Sequence, residues 1–277
     1  MRRKKRRGVL SRMLYIFIIS AAVLTFSVLI FMIAYILMKG VPYLKPSLFA
    51  LEYNSENVSL MPALINTLFI TAVSLSVAIP IGIGSAIYLV EYAKRGNKLV
   101  GIVRITTETL AGIPSIVYGL FGMLFFVKVL EMGLSILAGA LTLSIMILPL
   151  IMRTTEEALK AVPDAFREGS FGLGAGRVRT IFLIILPAAM PGILSGIILA
   201  IGRIVGETAA LMYTAGTVTN VAQGLLGSGR TLAYHMYNLS SEGFHMNEAY
   251  ATAVVLLLIV MVINWISGRV AKQLTKA

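Results

Sequence analysis

Apolar residues come in long runs along this chain, and polar residues collect between them. Residues 13–38, 61–90, 132–152 and 249–268 contain no charged side chain at all. Residues 105–127 are interrupted only by Glu108, and 184–213 only by Arg203 and Glu207. About 20 apolar residues cross the hydrocarbon core of a bilayer as a helix. Backbone groups inside lipid must bond within their own segment, which favours helices for runs of this length. The pattern predicts an all-α membrane protein with six transmembrane helices. Glycines and Pro114 in the third run predict a kink there.

Composition agrees: 58% of the residues are hydrophobic and 13% are charged, against about 25% charged in soluble domains. There is no cysteine, which excludes disulfides and thiolate metal sites. The net charge of +12 is explained by position. Of the 24 Lys and Arg, 19 fall in the N-terminus, 94–104, 153–179 and the tail after 268, and four on the opposite side. That bias places both termini in the cytoplasm and makes nucleic-acid binding unnecessary. The basic start followed by an apolar run resembles a signal peptide, but the run is too long and lacks a clear cleavage site; it reads as an uncleaved first helix. The chain divides into 1–60 (basic N-terminus, first helix and external loop), a transmembrane domain at 61–272, and a short cytoplasmic tail at 273–277.

Two connections are long, 153–183 inside and 217–248 outside. In the inner one, Pro163 suits the first turn of a helix, and Asp164 beside it suits the positive end of the helix dipole. Gly172, Gly174 and Gly176 end that helix. Phe166, Gly169, Ser170 and Leu173 share a stripe at helical spacing, as in a short helix that lies on a membrane surface or enters a partner's groove. The outer connection holds GLLGSGRT at 224–231, a near match to a phosphate-binding loop. Arginine replaces the lysine and no strand precedes it, so it reads as a flexible loop; GLGAG at 172–176 reads as a turn. His235 and His245 lack metal-ligand spacing and read as solvated loop residues. No catalytic arrangement and no metal site is apparent.

The charges within the spans carry the sharpest signal. A charge at a helix centre costs about 2.5–3.5 kcal/mol on insertion scales, so it usually faces a partner or a watery path. On one continuous helix, Gly192, Gly196, Arg203, Glu207, Ala210 and Thr214 share a face, and Arg203 reaches Glu207 at i, i+4. Glu108, Gly112, Ser115, Gly119 and Gly122 share a face of the third span. Such faces suit close helix packing or a narrow channel. Arg203 either bridges Glu207 and Glu108, or offers its planar fork to a passing anion.

Two resemblances follow from these residues. Glu168-Gly169-Ser170, three residues, Gly174, nine residues, Ile184, one residue, Leu186-Pro187 resembles the "EAA…G…I-LP" loop of ABC importer permeases, with Gly169 and Ser170 at the two alanine positions. The resemblance implies a type I ABC importer permease fold and an ATPase-docking loop at about 153–187. Pro163, Phe166, Glu168, Gly169, Ser170, Gly174, Leu186 and Pro187 would belong to that loop, with Glu168 fixing the helix and Gly174 forming the turn. ETLAGIPSIVYGLFG at 108–122 and AIGRIVGETAALMYTAG at 200–216 are similar to stretches of the PstA-type phosphate permease family. That similarity runs from about residue 61 onward. It implies a permease that moves inorganic phosphate into the cell by alternating access, in the plasma (inner) membrane of a bacterium or archaeon. It also implies a PstC-like second permease subunit, two PstB-like ATPases that bind the ATP and Mg, and an extracytoplasmic phosphate-binding protein. This chain itself would bind no cofactor and catalyse nothing. Arg203, Glu207, Glu108, Ser115 and Thr214 would line the phosphate path. A permease for sulfate or molybdate, and an ion-coupled transporter acting alone, are the competing readings.

Overall fold

The computed structural model describes residues 2–94 and 96–274, and the side chains of 11–94 and 96–269. Arg95, most of the N-terminal basic cluster and the last residues of the tail therefore lie outside the described side chains. Eleven α-helices form, and no strand is present among the described residues.

The first helix, α1 (Arg2–Gly40), is unburied along its apolar stretch. It meets the rest of the molecule at Gly40, where an added Cβ would collide with Tyr250 and Val254. α2 (Met61–Ile87) widens into a π-helical turn at Tyr88–Tyr92. α3 (Lys98–Ala111) and α4 (Ser115–Gly122) are separated by a sharp elbow, and α4 continues as a π-helical turn over Met123–Val129. α5 (Ile136–Ala161) runs through the middle of the molecule. The short α6 (Asp164–Gly172) and α7 (Arg177–Thr180) follow, then α8 (Leu186–Val205) and α9 (Ala209–Thr214). α10 (Leu232–Glu242) and α11 (Met246–Leu274) complete the chain.

Five helices are long and apolar enough to cross a membrane, and α3 with α4 makes a sixth if the bent pair is one span. The third apolar run departs most from expectation. It bends by 102° between α3 and α4, so it is an elbow and not a kinked rod. The cause is local. Gly112 ends α3, Ile113 precedes a proline and is pushed out of the α region, and Pro114 has no N–H to donate. Tyr118 closes the elbow by donating its hydroxyl to the Leu110 carbonyl at 2.7 Å.

The core forms around α5, with Ile70 from α2, Leu143, Met146, Ile147 and Ile151 from α5, and Ile204 from α8. Polar residues inside the spans bond back along their own helices. Thr67, Thr71 and Ser74 each donate to the carbonyl four residues earlier at 2.7 Å. Ser144 of α5 also reaches the Ser74 carbonyl of α2 at 3.0 Å, tying the two helices together.

Small residues are where helices touch. An added Cβ at Gly119 would lie 2.7 Å from Ala210 Cα, and at Gly192 2.6 Å from Ala158 Cβ. Gly196 abuts Thr154 more closely still. The small faces of the third and fifth spans are thus packing faces at these positions.

Candidate functional site

Arg203 stands at the last turn of α8, half-buried. It lines a cavity of about 340 Å³ with Arg104, Thr107, Glu108, Arg153 and Glu156. A larger cavity of about 710 Å³ beside α6 shares Leu89, Arg104 and Lys160 with it and adds Lys94, Asp164 and Arg167. The two spaces lie toward the end of the bundle that carries α6 and mix cations with acids: Arg104 and Lys160 pair with Glu156, and Arg153 with Glu157. Arg203 has no ion pair within 4 Å among the described residues. Its fork is therefore free to take an anion.

Glu207 is not beside Arg203 on one helix, because the helix stops between them. α8 ends at Val205, Gly206 caps it by donating to the Gly202 carbonyl at 3.2 Å, and Thr208 is non-helical. The buried Glu207 carboxylate accepts the Ala210 N–H at 3.0 Å. The acid supplies what the first turn of α9 lacks, and this competition with the main chain breaks the helix. Thr214 is fully buried, donates to the Ala210 carbonyl at 2.8 Å, and sits against Gly122. Ser115 is half-buried at the first position of α4. Of the five residues expected on a path, the structure brings Arg203 and Glu108 to one cavity; Glu207, Ser115 and Thr214 do not line it.

The helix predicted after Pro163 is α6. Phe166 is 51% exposed and Leu173 91%, with Phe171 exposed beside them. Glu168 and Gly169 are exposed, whereas Ser170 is buried and shares a 2.8 Å hydrogen bond with the Thr180 hydroxyl. The helix ends in a Schellman turn. Gly174 has φ +82° and donates to the Phe171 carbonyl at 2.9 Å; Ala175 donates to the Ser170 carbonyl at 3.1 Å. Pro187 enters α8 just after a π-helical turn at Ile181–Ile185, as fits a residue that cannot donate to the turn before it. Leu186 packs half-buried beneath.

Sequence reasoning missed the residue that holds α6 in place. Arg167 grips Glu91 with Nη2 at 2.7 Å and Nε at 3.1 Å. It also donates to the carbonyls of Val162 at 2.8 Å and Leu159 at 3.0 Å, at the C-terminal end of α5, and reaches Asp164 at 3.2 Å. One side chain joins α6 to α5 and to the end of α2. Glu168, the expected fixing residue, has no ion pair among the described residues. The partner Glu91 lies 76 residues away, so no local pattern announced it.

At the other end of the bundle the expected flexible loop is packed. Gly227 and Leu225 carbonyls take the N–H groups of Ile136 and Leu137 at 2.9 and 2.8 Å, and Ser135 Oγ takes that of Ala138 at 3.2 Å. The loop thus supplies the partners that the start of α5 lacks. Asn66 of α2 clamps it through the Asn220 and Arg230 carbonyls at 3.0 and 3.2 Å and the Ala222 N–H at 2.9 Å. His235 is not solvated but 0% exposed. Burial, with the nearby Arg230 guanidinium adding, pushes its pKa down to about 3, which leaves the ring neutral. His245 is half-exposed, 3.8 Å from Glu248.

Comparison with known proteins supplies the family. Residues 78–276 match the family described as "Binding-protein-dependent transport system inner membrane component". The probable ABC transporter permease protein YqgI of Bacillus subtilis is 33% identical over 90% of this chain and 92% of its own length. The phosphate transport system permease protein PstA 1 of Mycobacterium tuberculosis (strain CDC 1551 / Oshkosh) is 38% identical over 73% of this chain and 67% of its own. A subunit of a bacterial alginate ABC transporter, solved with an alginate-bound periplasmic protein, superposes with a TM-score of 0.63. It is 17% identical and covers 92% of this chain and 96% of that one, a likeness of fold alone. The fold is that of type I ABC importer permeases, and the chain belongs to the binding-protein-dependent transport system inner membrane component family.

Proposed function

We propose that this chain is the membrane-spanning subunit of an ATP-driven importer that carries inorganic phosphate into the cell. The observation that carries this reading is the 33–38% identity to phosphate transport system permeases. The working unit would be two permease subunits, two ATPases that bind ATP and Mg, and an extracytoplasmic phosphate-binding protein. The excess of Lys and Arg in the N-terminus, 94–104, 153–179 and the tail supports a cytoplasmic side for α6 and both termini.

The chain's own residues then divide the work. Arg203, with no ion pair within 4 Å among the described residues, offers paired donors to phosphate in the cavity it lines. Glu108 on the same wall gives Arg203 an alternative partner once the anion has left. Phe166, Phe171 and Leu173 form the apolar edge that an ATPase cleft would cover. Arg167 passes movement of α6 on to α5 and α2.

Radiolabelled phosphate uptake tests this in cells with and without the chain, under a protonophore or ATP depletion. Chain-dependent uptake that survives the protonophore and fails without ATP is expected. Collapse with the protonophore while ATP is maintained would point to ion coupling and sink the reading; chain-dependent uptake of sulfate instead of phosphate would reassign the substrate. Arg203→Ala should abolish uptake with the complex intact. Phe166→Asp should uncouple ATP hydrolysis from transport.

A further inference from the structure

Five of the six buried side-chain polar atoms that lack a hydrogen-bond partner among the described residues belong to three neighbouring residues. They are Arg230 Nε and Nη2, Thr231 Oγ1, and both ring nitrogens of His235, which the Val58 carbonyl faces without completing a well-formed hydrogen bond. The cluster sits at the end of the bundle away from α6, where Asn66 holds the Arg230 carbonyl. It is separate from the Arg203 cavity.

Arg230 is 3% exposed, and an arginine stays charged at any ordinary pH. No carboxylate lies within 4 Å of it among the described residues. A buried cation without a counter-ion is among the costlier things a fold can hold. The Tyr53 ring, 4.6 Å from Cζ, offsets part of that cost through its face. It leaves the Nε and Nη2 donors free. These two form the same edge by which Arg167 grips the Glu91 carboxylate. That edge matches two oxygens of an oxyanion.

The surroundings are held firmly. Thr231 is the N-cap of α10, yet its hydroxyl makes no capping bond. The His235 ring stands edge-on to Tyr53, with centroids 6.2 Å apart. Tyr53 is carried by a loop that Asn54 and Asn57 knit together. Asn54 Oδ1 takes the Asn57 N–H at 2.7 Å, and Asn57 donates to the Glu52 carbonyl at 2.8 Å. Within that loop Val58 holds φ +45°, an unfavourable conformation for a β-branched residue.

We propose that Arg230, Thr231 and His235 form a binding site for a small, protonated oxyanion, with hydrogen phosphate its best match. The guanidinium edge takes two oxygens and the threonine hydroxyl a third. The neutral imidazole has one donor and one acceptor, so it accepts from the protonated oxygen that sulfate lacks. Choosing phosphate among protonated oxyanions rests on the function proposed above; the site itself does not. The free atoms are sealed from solvent, so the ion enters and leaves by local opening.

The test uses the full chain assembled with its partner subunits in lipid nanodiscs. Thermal unfolding is followed against phosphate, sulfate and chloride at constant ionic strength. Phosphate should raise the Tm saturably, and sulfate less. Part of that rise should survive Arg203→Ala but need at least about tenfold more phosphate in Arg230→Gln. Should Arg230→Gln fail to fold, Arg230→Lys and His235→Phe carry the same readout. A wild type indifferent to phosphate, or a shift unchanged in these variants, overturns the site. So does a Tm rise on subunit assembly that phosphate does not alter, since a partner's acid would then be the counter-ion. A persisting shift in a chain that takes up no phosphate would sink the importer reading and leave this site standing.

Discussion

Arg167 and Arg230 sit at opposite ends of the bundle and are both largely withdrawn from water, Arg230 the more completely. The Arg167 side chain is 15% exposed and donates through Nε, Nη1 and Nη2 to two acids and two main-chain carbonyls. Arg230 is 3% exposed and leaves two buried donor nitrogens, Nε and Nη2, without a partner among the described residues. The first arginine is a structural joint, complete within the chain. The second is incomplete within the described residues, and that is the ground on which a ligand is proposed for it. Burial alone says nothing about role; the count of satisfied donors does.

The largest effect that separates them is on stability. Arg167→Met would strand the Glu91 carboxylate, which is 9% exposed, and breaking such a pair costs roughly 3–5 kcal/mol. Chemical or thermal unfolding should show that loss, and Arg167→Met with Glu91→Leu should recover most of it. If the single variant unfolds like the wild type, Arg167 is no joint.

A smaller effect comes from pH. His235 binds its proton at about 3 when folded and near 6.5 when unfolded. Below about 6.5 the unfolded chain therefore takes up a proton that the folded chain refuses. This contribution weakens the fold as pH falls toward 3, by about 1.4 kcal/mol per pH unit. His235→Gln should flatten the slope relative to wild type across that window. Parallel slopes would mean the imidazole is reached by water. The groups facing it are Arg230, Tyr53 and the Val58 carbonyl.

The smallest effect is the most telling for the comparison. Arg230→Met removes no ion pair, and what it loses is a cation–π contact of about 0.5–2 kcal/mol against the relief of an unpaired charge. In phosphate-free buffer its Tm should stay close to that of the wild type or exceed it. A fall as large as that of Arg167→Met would show that Arg230 already has its counter-ion inside the fold.

Much of this was legible in the residues. The apolar runs announced five of the spans, because burial of backbone in lipid leaves few alternatives. Pro163 and Gly174 announced both ends of α6, because each controls its own φ. The elbow at Gly112–Pro114 was half legible, as a bend without its angle. The break before Glu207 was not, because an acid at i+4 from an arginine also suits a continuous helix. Only the observed bond to the Ala210 N–H reveals that the carboxylate serves the main chain.

Residue spacing and composition by themselves determined a helical membrane protein, its approximate spans and the helix that projects from it. Those features depend on forces that act along the chain: hydrophobic length, helical period and turn chemistry. Tertiary structure alone decided the partners. Glu91 lies 76 residues from Arg167 in the chain, and Asn66 lies 164 residues from Arg230. Whether a polar group finds its counterpart is a matter of three-dimensional distance, and no pattern within one segment encodes it.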